Sequence, residues 1–171
     1  MFTRYWGKVG LNTQATKRRF KSTYLHPCFI ARSSLSNILR EYAKHCKGVL
    51  LDVGCGEKPY ETLFFGRVHE YVGLDLSRSD INKADIFADG LHLPFASASF
   101  DAVLCTEVIE HVPEPGVLLH EVNRVLKEKG ILLLSAPLVW GLHAEPHDFF
   151  RFTKYGLKHL MKKTNFQVLK I

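Results

Sequence analysis

Val49-Leu50-Leu51-Asp52-Val53-Gly54-Cys55-Gly56 is the stretch on which the fold turns. Four of its first five residues are apolar, and the run ends directly on two glycines. A short, near-continuous apolar run fits a strand covered on both faces, as in a parallel sheet. The glycines make a tight turn in which a ligand can approach backbone where a β-carbon would collide.

Outward from this stretch, short apolar runs alternate with helical patterns. Upstream, Ser33 or Ser34 caps a helix through about Lys47, with Leu35, Ile38, Leu39 and Tyr42 on one face and Gly48 as its stop. Downstream, Tyr60–Phe65 is a short helix, and Glu70–Leu76 and Ala84–Ala88 are strands, each ending at an acid (Asp75, Asp89). Phe100–Cys105 is a further strand. Pro115–Lys129 is the clearest helix, with Leu118, Val122, Val125 and Leu126 on one face and Gly130 as its closing glycine. Ile131–Ala136 is a strand stopped by Pro137, Thr153 caps a helix facing inward through Leu157, Leu160, Met161 and Thr164, and Phe166–Ile171 reads as a last strand. Strands separated by helices predict an α/β fold. It is Rossmann-like and doubly wound, with a mostly parallel sheet and helices on both faces. Ligands of such sheets sit at the carboxyl ends of the strands.

The chain has 171 residues, 46% apolar and 23% charged, which suits one globular domain. No apolar run is long enough to span a membrane, since Ser135 and Pro137 interrupt the longest, Ile131–Leu142. Cys28, Cys46, Cys55 and Cys105 form no CxxC pair and read as reduced thiols, which predicts a cytoplasmic setting. Charge is uneven: residues 1–40 hold eight Lys/Arg and no acid, whereas the rest holds fifteen Lys/Arg and all seventeen acids. Residues 1–32 are therefore set apart as a basic N-terminal arm or lid, with 33–171 as the domain. Such an arm attracts phosphate, nucleic acid or an anionic membrane surface, serves as a solvated lid, or acts as a transit peptide.

Several residues follow the strands closely. Asp75 lies twenty-one residues after Gly54, the interval at which a carboxylate takes ribose hydroxyls in nucleoside-binding α/β domains. Pro59 stands where a dinucleotide fingerprint wants a third glycine, which disfavours a pyrophosphate ligand. Asp89 can bond an adenine amino group, with Leu91 or Leu93 covering the ring.

The set LLDVGCG, YVGLDLS, ADGLHLPFASASFDAV, CTEVIEHV and ILLLSAP resembles the class I S-adenosylmethionine-dependent methyltransferases, over about residues 35–171. The group it most resembles modifies small molecules, saccharides or lipids. The resemblance implies S-adenosyl-L-methionine as cofactor. It places Asp52, Gly54, Cys55 and Gly56 in the turn under the methionine part, Asp75 on the ribose diol and Leu76 beside the adenine. Asp89, Gly90 and Leu91 meet the adenine edge, and Thr106 and Glu107 line the pocket near the sulfonium. The family's third turn glycine falls on Lys58. The family's usual antiparallel strand beside the fifth is missing, and the helix before Phe100 shrinks to a loop, Pro94–Ser99. A sheet so ended closes differently, is paired by a partner chain as in a homodimer, or belongs to a truncated chain.

His143, Asp148 and Arg151, with Phe149, Phe150 and Phe152, are assigned to a substrate wall after the fifth strand, for a small-molecule, sugar or lipid-linked acceptor. If the acceptor must lose a proton, His147 is the first choice of base and His111 the second. A metal site from His143, His147 and Asp148 lacks a further clear ligand, so no metal is expected. Two alternatives stand beside the leading reading. One is a nucleic-acid methyltransferase guided by the basic arm, although no Asn/Asp-Pro-Pro-aromatic segment follows the fourth strand. The other is a non-catalytic module that binds the cofactor.

Overall fold

All five strands of the sheet run parallel, the third beside the second, then the first, the fourth and the fifth. The computed structural model describes residues 27–171 except Ser79. The basic arm up to residue 26 lies outside the described residues. The elements are α1 (Pro27–Ala43), β1 (Val49–Val53), α2 (Glu61–Phe64), β2 (Glu70–Asp75), β3 (Ile86–Phe87) and β4 (Phe100–Thr106). A 3-10 turn (Ile109–His111), α3 (Pro115–Val125), β5 (Leu126–Ser135) and α4 (Lys154–Lys163) complete them. β1 pairs with β2 from Val49↔Glu70 to Val53↔Leu74 and with β4 from Leu50↔Ala102 to Val53↔Cys105. Chain order reverses between β1 and β4, which opens a crevice at their carboxyl ends.

Alternation along the central strands sorts the core into two faces. Leu51 and Val53 of β1, Leu74 of β2 and Val103 and Cys105 of β4 join Leu118, Leu119, Val122 and Val125 of α3 in one buried cluster, and Leu157, Leu160 and Met161 of α4 pack on it. Each such aliphatic chain contributes about 1.5–3 kcal/mol on burial. Leu50, Asp52, Ala102 and Leu104 point the other way and are equally buried; there the Tyr71 ring lies 5.8 Å from that of Phe64 in α2. Thr153 caps α4 as expected, its Oγ1 accepting the Gly156 N–H at 3.0 Å.

The loop that replaces a helix before β4 is fastened to α3. Arg124 donates to the carbonyls of Phe95 (2.8 Å) and Leu93 (3.0 Å) and to both oxygens of Glu121, which in turn accepts the Leu93 N–H.

Five expectations need correction. α1 begins at Pro27, where a proline suits the first helical turn, rather than at Ser33 or Ser34, and Ile38 is exposed. The short helix loses a residue at each end, Glu61–Phe64 instead of Tyr60–Phe65. The third strand shrinks to Ile86–Phe87, because only Leu74 and Asp75 offer it a ladder. α3 stops at Val125, because Leu126 turns extended and pairs with Phe100. Lys127–Gly130 then bulge out opposite Asp101, so Gly130 sits inside β5 instead of closing the helix. Phe166–Ile171 form no strand: Phe166 packs on the core, while Leu169 and Ile171 are exposed. Among the described residues, β5 therefore has no partner on its outer side.

Candidate functional site

The turn after β1 is built from left-handed backbone. Gly54, Gly56 and Lys58 have φ of 70°, 49° and 53°. At Gly54 the conformation and the space both exclude a side chain, since a β-carbon would stand 2.3 Å from Val108 Cγ2. At Gly56 a β-carbon would meet nothing within 4 Å, so that side of the turn is open. The turn is stitched to β2: Gly54 and Cys55 both donate to the Leu74 carbonyl, and Gly56 N–H donates to Asp75 Oδ2 at 2.9 Å. Asp75 Oδ1 accepts the Ser77 N–H at 2.9 Å. Each oxygen keeps a lone pair for a further donor.

Lys58, the departure from the family turn, has a structural role. Its stem crosses Gly73, where a β-carbon would lie 2.4 Å from Lys58 Cε, and its Nζ reaches Asp85 at 2.6 Å. Asp85 also accepts the Gly73 N–H at 2.7 Å, and Lys58 and that N–H together hold its carboxyl below the usual range. The turn is thereby clipped to the start of β3.

Asp52 lies beneath the turn, 1% exposed, and Tyr71 donates its hydroxyl to Oδ2 at 2.5 Å. Burial pushes the Asp52 carboxyl up to about 7, and burial beside that acid raises the Tyr71 phenol as well. Cys55 is buried and its thiol is pushed up to about 12, so it is an inert packing group. On the far side of β2, Leu76 is exposed and Asp89 folds back on its own turn, Oδ1 accepting the Leu91 N–H at 2.9 Å. Gly90 fits closely under Leu118, and Leu91 packs on the core.

At the end of β4, Thr106 is half-buried. Glu107 takes a left-handed φ of 54°, and its Oε1 accepts the Ser135 hydroxyl at 2.7 Å. The 3-10 turn then carries Glu110 and His111 against the segment after β5. Glu110 is fully buried, and neither of its carboxyl oxygens has a hydrogen-bond partner. Burial pushes its carboxyl up to about 7. Its backbone carbonyl accepts the N–H groups of Phe149 and Phe150, at 2.9 and 3.1 Å.

The predicted substrate wall is an ordered network. Arg151 donates to both oxygens of Asp148 (2.6 and 2.8 Å) and to the carbonyls of Trp140, Gly141 and Phe150. That guanidinium holds the Asp148 carboxyl far below the usual carboxylate range. Asp148 also accepts the His143 N–H at 3.0 Å. His111 lies between two neighbours, with Nδ1 at 2.7 Å from the His147 carbonyl and Nε2 at 3.0 Å from His143 Nε2. The structure thus brings His111, His143, Asp148 and Arg151 together, while His147 joins through its main chain and its ring lies 6.2 Å from that of Phe149. Sequence reasoning gave Glu110, Lys58 and Asp85 no role. The one visible signal was Glu110 itself, an acid inside the apolar run Val108-Ile109-Glu110-His111-Val112. A concavity of about 580 Å³, lined by Val49, Glu70, Ile86 and Phe100, opens at the amino ends of the strands, away from this rim.

Residues 51–134 match the family model described as a methyltransferase domain. The matched stretch, just under half of the chain, is similar to the class I S-adenosylmethionine-dependent methyltransferases. It is 35% identical over 103 residues to an uncharacterised protein of Methanocaldococcus jannaschii, an alignment covering 58% of this chain and 45% of that one. It is 28% identical over 140 residues to a ubiquinone biosynthesis O-methyltransferase of Alkalilimnicola ehrlichii, covering 71% and 54%. The chain spans about half the length of these relatives. A crystal structure of an S-adenosylmethionine-dependent methyltransferase from Archaeoglobus fulgidus superposes with a TM-score of 0.62 at 23% identity, over 80% of this chain and 69% of that one. Among the described residues no helix is long and apolar enough to cross a membrane.

Proposed function

We propose that the chain is an S-adenosylmethionine-dependent methyltransferase acting on a small-molecule, sugar or lipid-linked acceptor. The observation that carries this reading is the open turn at Gly56 with the Asp75 carboxylate fixed beside it by the Gly56 N–H. That pairing suits a nucleoside: a turn without side chains for close approach, and an acid with free lone pairs for a diol. When bound, the cofactor supplies a methyl group on a sulfonium with a neutral leaving group.

The chain's own residues then position the reactants. Asp75 holds the ribose hydroxyls, with Leu76 and Leu91 against the adenine and Asp89 at its amino edge. Gly54, Cys55 and Gly56 pass under the methionine part, and Thr106 and Glu107 border the reacting end. Asp52 supports the turn from below through Tyr71. Arg151 spends its donors on Asp148 and three carbonyls, so in this reading Asp148 and Arg151 shape the acceptor wall rather than grip the acceptor. The similarity to a ubiquinone biosynthesis O-methyltransferase favours an acceptor of small-molecule type. For a hydroxyl acceptor, His147 stays the first candidate base, because both ring nitrogens of His111 already face the His147 carbonyl and His143.

Calorimetry with S-adenosylmethionine and with its demethylated product tests this. Binding of both is expected, weakened by about 1–3 kcal/mol in Asp75→Ala, the size of a lost hydrogen bond to a charged group. Absence of binding, or tight binding of NADH instead, would overturn it.

A further inference from the structure

Glu110, His111 and His143 bring one carboxylate oxygen and two imidazole nitrogens within 4.8 Å of one another. The hydrogen bonds around the two rings decide what these nitrogens present. His111 Nδ1 lies 2.7 Å from the His147 carbonyl, and a carbonyl only accepts, so Nδ1 carries the proton. His143 Nδ1 lies 3.1 Å from the Gly141 carbonyl and 3.5 Å from an Asp148 oxygen, which assigns its proton in the same way. In the neutral rings, both Nε2 atoms are therefore bare lone pairs, and they face each other at 3.0 Å. Such an approach is repulsive unless a positive charge lies between them.

A proton and a metal ion are the two candidates, and Glu110 separates them. Its Oε1 is 3.7 Å from His111 Nε2, yet both carboxyl oxygens are buried without a hydrogen bond. A proton shared by the imidazoles gives Glu110 a charge partner at 3.7 Å but still no hydrogen bond. A cation bound to all three groups satisfies one of the two oxygens directly. Donors on a tetrahedral centre at 2.0–2.1 Å stand about 3.3 Å apart; two of the three separations here are 3.0 and 3.7 Å, and the third is within 4.8 Å. Both imidazoles also donate their other N–H to a backbone carbonyl, the outer contact that orients metal-bound histidines.

We propose that Glu110, His111 and His143 form a site for a divalent transition-metal ion of the zinc, cobalt or manganese kind. Two imidazoles and one carboxylate suit that class, and hard, all-oxygen cations such as Ca²⁺ are a poor match. Three protein donors leave a coordination position open for water or an acceptor oxygen. The Arg151–Asp148 pair, by fixing the His143 N–H and the carbonyl of Gly141, positions the second imidazole.

The test uses the full chain, stripped with a chelator and titrated with Co²⁺ followed by its visible absorption, with Zn²⁺ as competitor and metal content read by mass spectrometry. One equivalent of Co²⁺, displaced by Zn²⁺, is expected. His143→Ala and the isosteric Glu110→Gln should each weaken binding about tenfold or more, the usual effect of losing a metal-site partner. His159→Ala, on the exposed side of α4, should bind as the wild type does and controls for stray histidines. Far-ultraviolet circular dichroism confirms that each variant is folded. No Co²⁺ or Zn²⁺ uptake by the wild type would overturn the proposal, as would undiminished uptake by folded His143→Ala. The result is independent of cofactor calorimetry: loss of S-adenosylmethionine binding would strike the proposed function alone.

Discussion

Replacing Asp52 by asparagine should make the protein's stability less sensitive to pH, and the size of the change follows from burial. The Asp52 side chain is sealed under the glycine turn, and its carboxyl rises from 3.8 to about 7. Between those values the folded chain keeps a proton that the unfolded chain has released. Stability is then greatest below the unfolded value and falls as pH climbs toward 7, because the folded state binds more protons. At about 1.4 kcal/mol per tenfold change in proton affinity, the full fall attributable to this group is up to about 4 kcal/mol. The substituted amide stays neutral throughout and still offers an oxygen to the Tyr71 hydroxyl. Urea unfolding of wild type and Asp52→Asn at pH 5 and pH 8 isolates the effect, since every other titrating group is common to both. The variant should gain about 2–4 kcal/mol relative to wild type between the two pH values. Parallel stability curves would refute the account and mean that Asp52 is solvated or ionised in the folded state.

Other substitutions probe the remaining contacts. Gly54→Ala forces a β-carbon onto Val108 at a positive φ and should destabilise by about 1–3 kcal/mol in thermal melts, while Gly56→Ala, with open space, should bear only the backbone strain, about 1 kcal/mol. Lys58→Met keeps the stem over Gly73 but loses the ion pair to a half-exposed Asp85, so a loss below about 1 kcal/mol is expected; a larger one would show the clip to be stronger than a surface pair. Thr153→Ala removes the α4 cap and should cost about 1 kcal/mol by urea unfolding. For His147→Ala, cofactor affinity by calorimetry should be unchanged; a drop would place its ring nearer the turn than its carbonyl contact suggests.

Much of the scaffold was readable because it rests on local chemistry. The apolar run into Gly54-Cys55-Gly56 had one natural form, a buried strand and an open turn, and the Thr153 cap needed only its own side chain. What escaped the sequence rests on distant pairing. The end of α3 was misplaced because helical periodicity through Leu126 says nothing of Phe100, the strand residue that captures it. The last apolar segment looked like a strand because apolarity alone cannot reveal whether a free edge lies within reach. Asp75 stood out by its interval from Gly54, and the structure sets it beside Gly56. Glu110 was passed over, because the segment that folds back to bond its carbonyl, Phe149 and Phe150, lies about forty residues downstream. The histidine pair was invisible for the same reason.

The bulge at Lys127–Gly130 bears on how the sheet can be extended. Four residues leave the ladder opposite Asp101, and Lys127 turns its ammonium to that acid at 2.8 Å. Regular hydrogen-bonding rungs are thus offered outward only over Ile131–Ser135, a berth about five residues long. Any visiting strand, from this chain or another, is given a fixed length and a fixed starting rung. One end of it lies beside Ser135, whose hydroxyl is already committed to Glu107. A strand laid along this flank would thus run out beside the residue that holds Glu107.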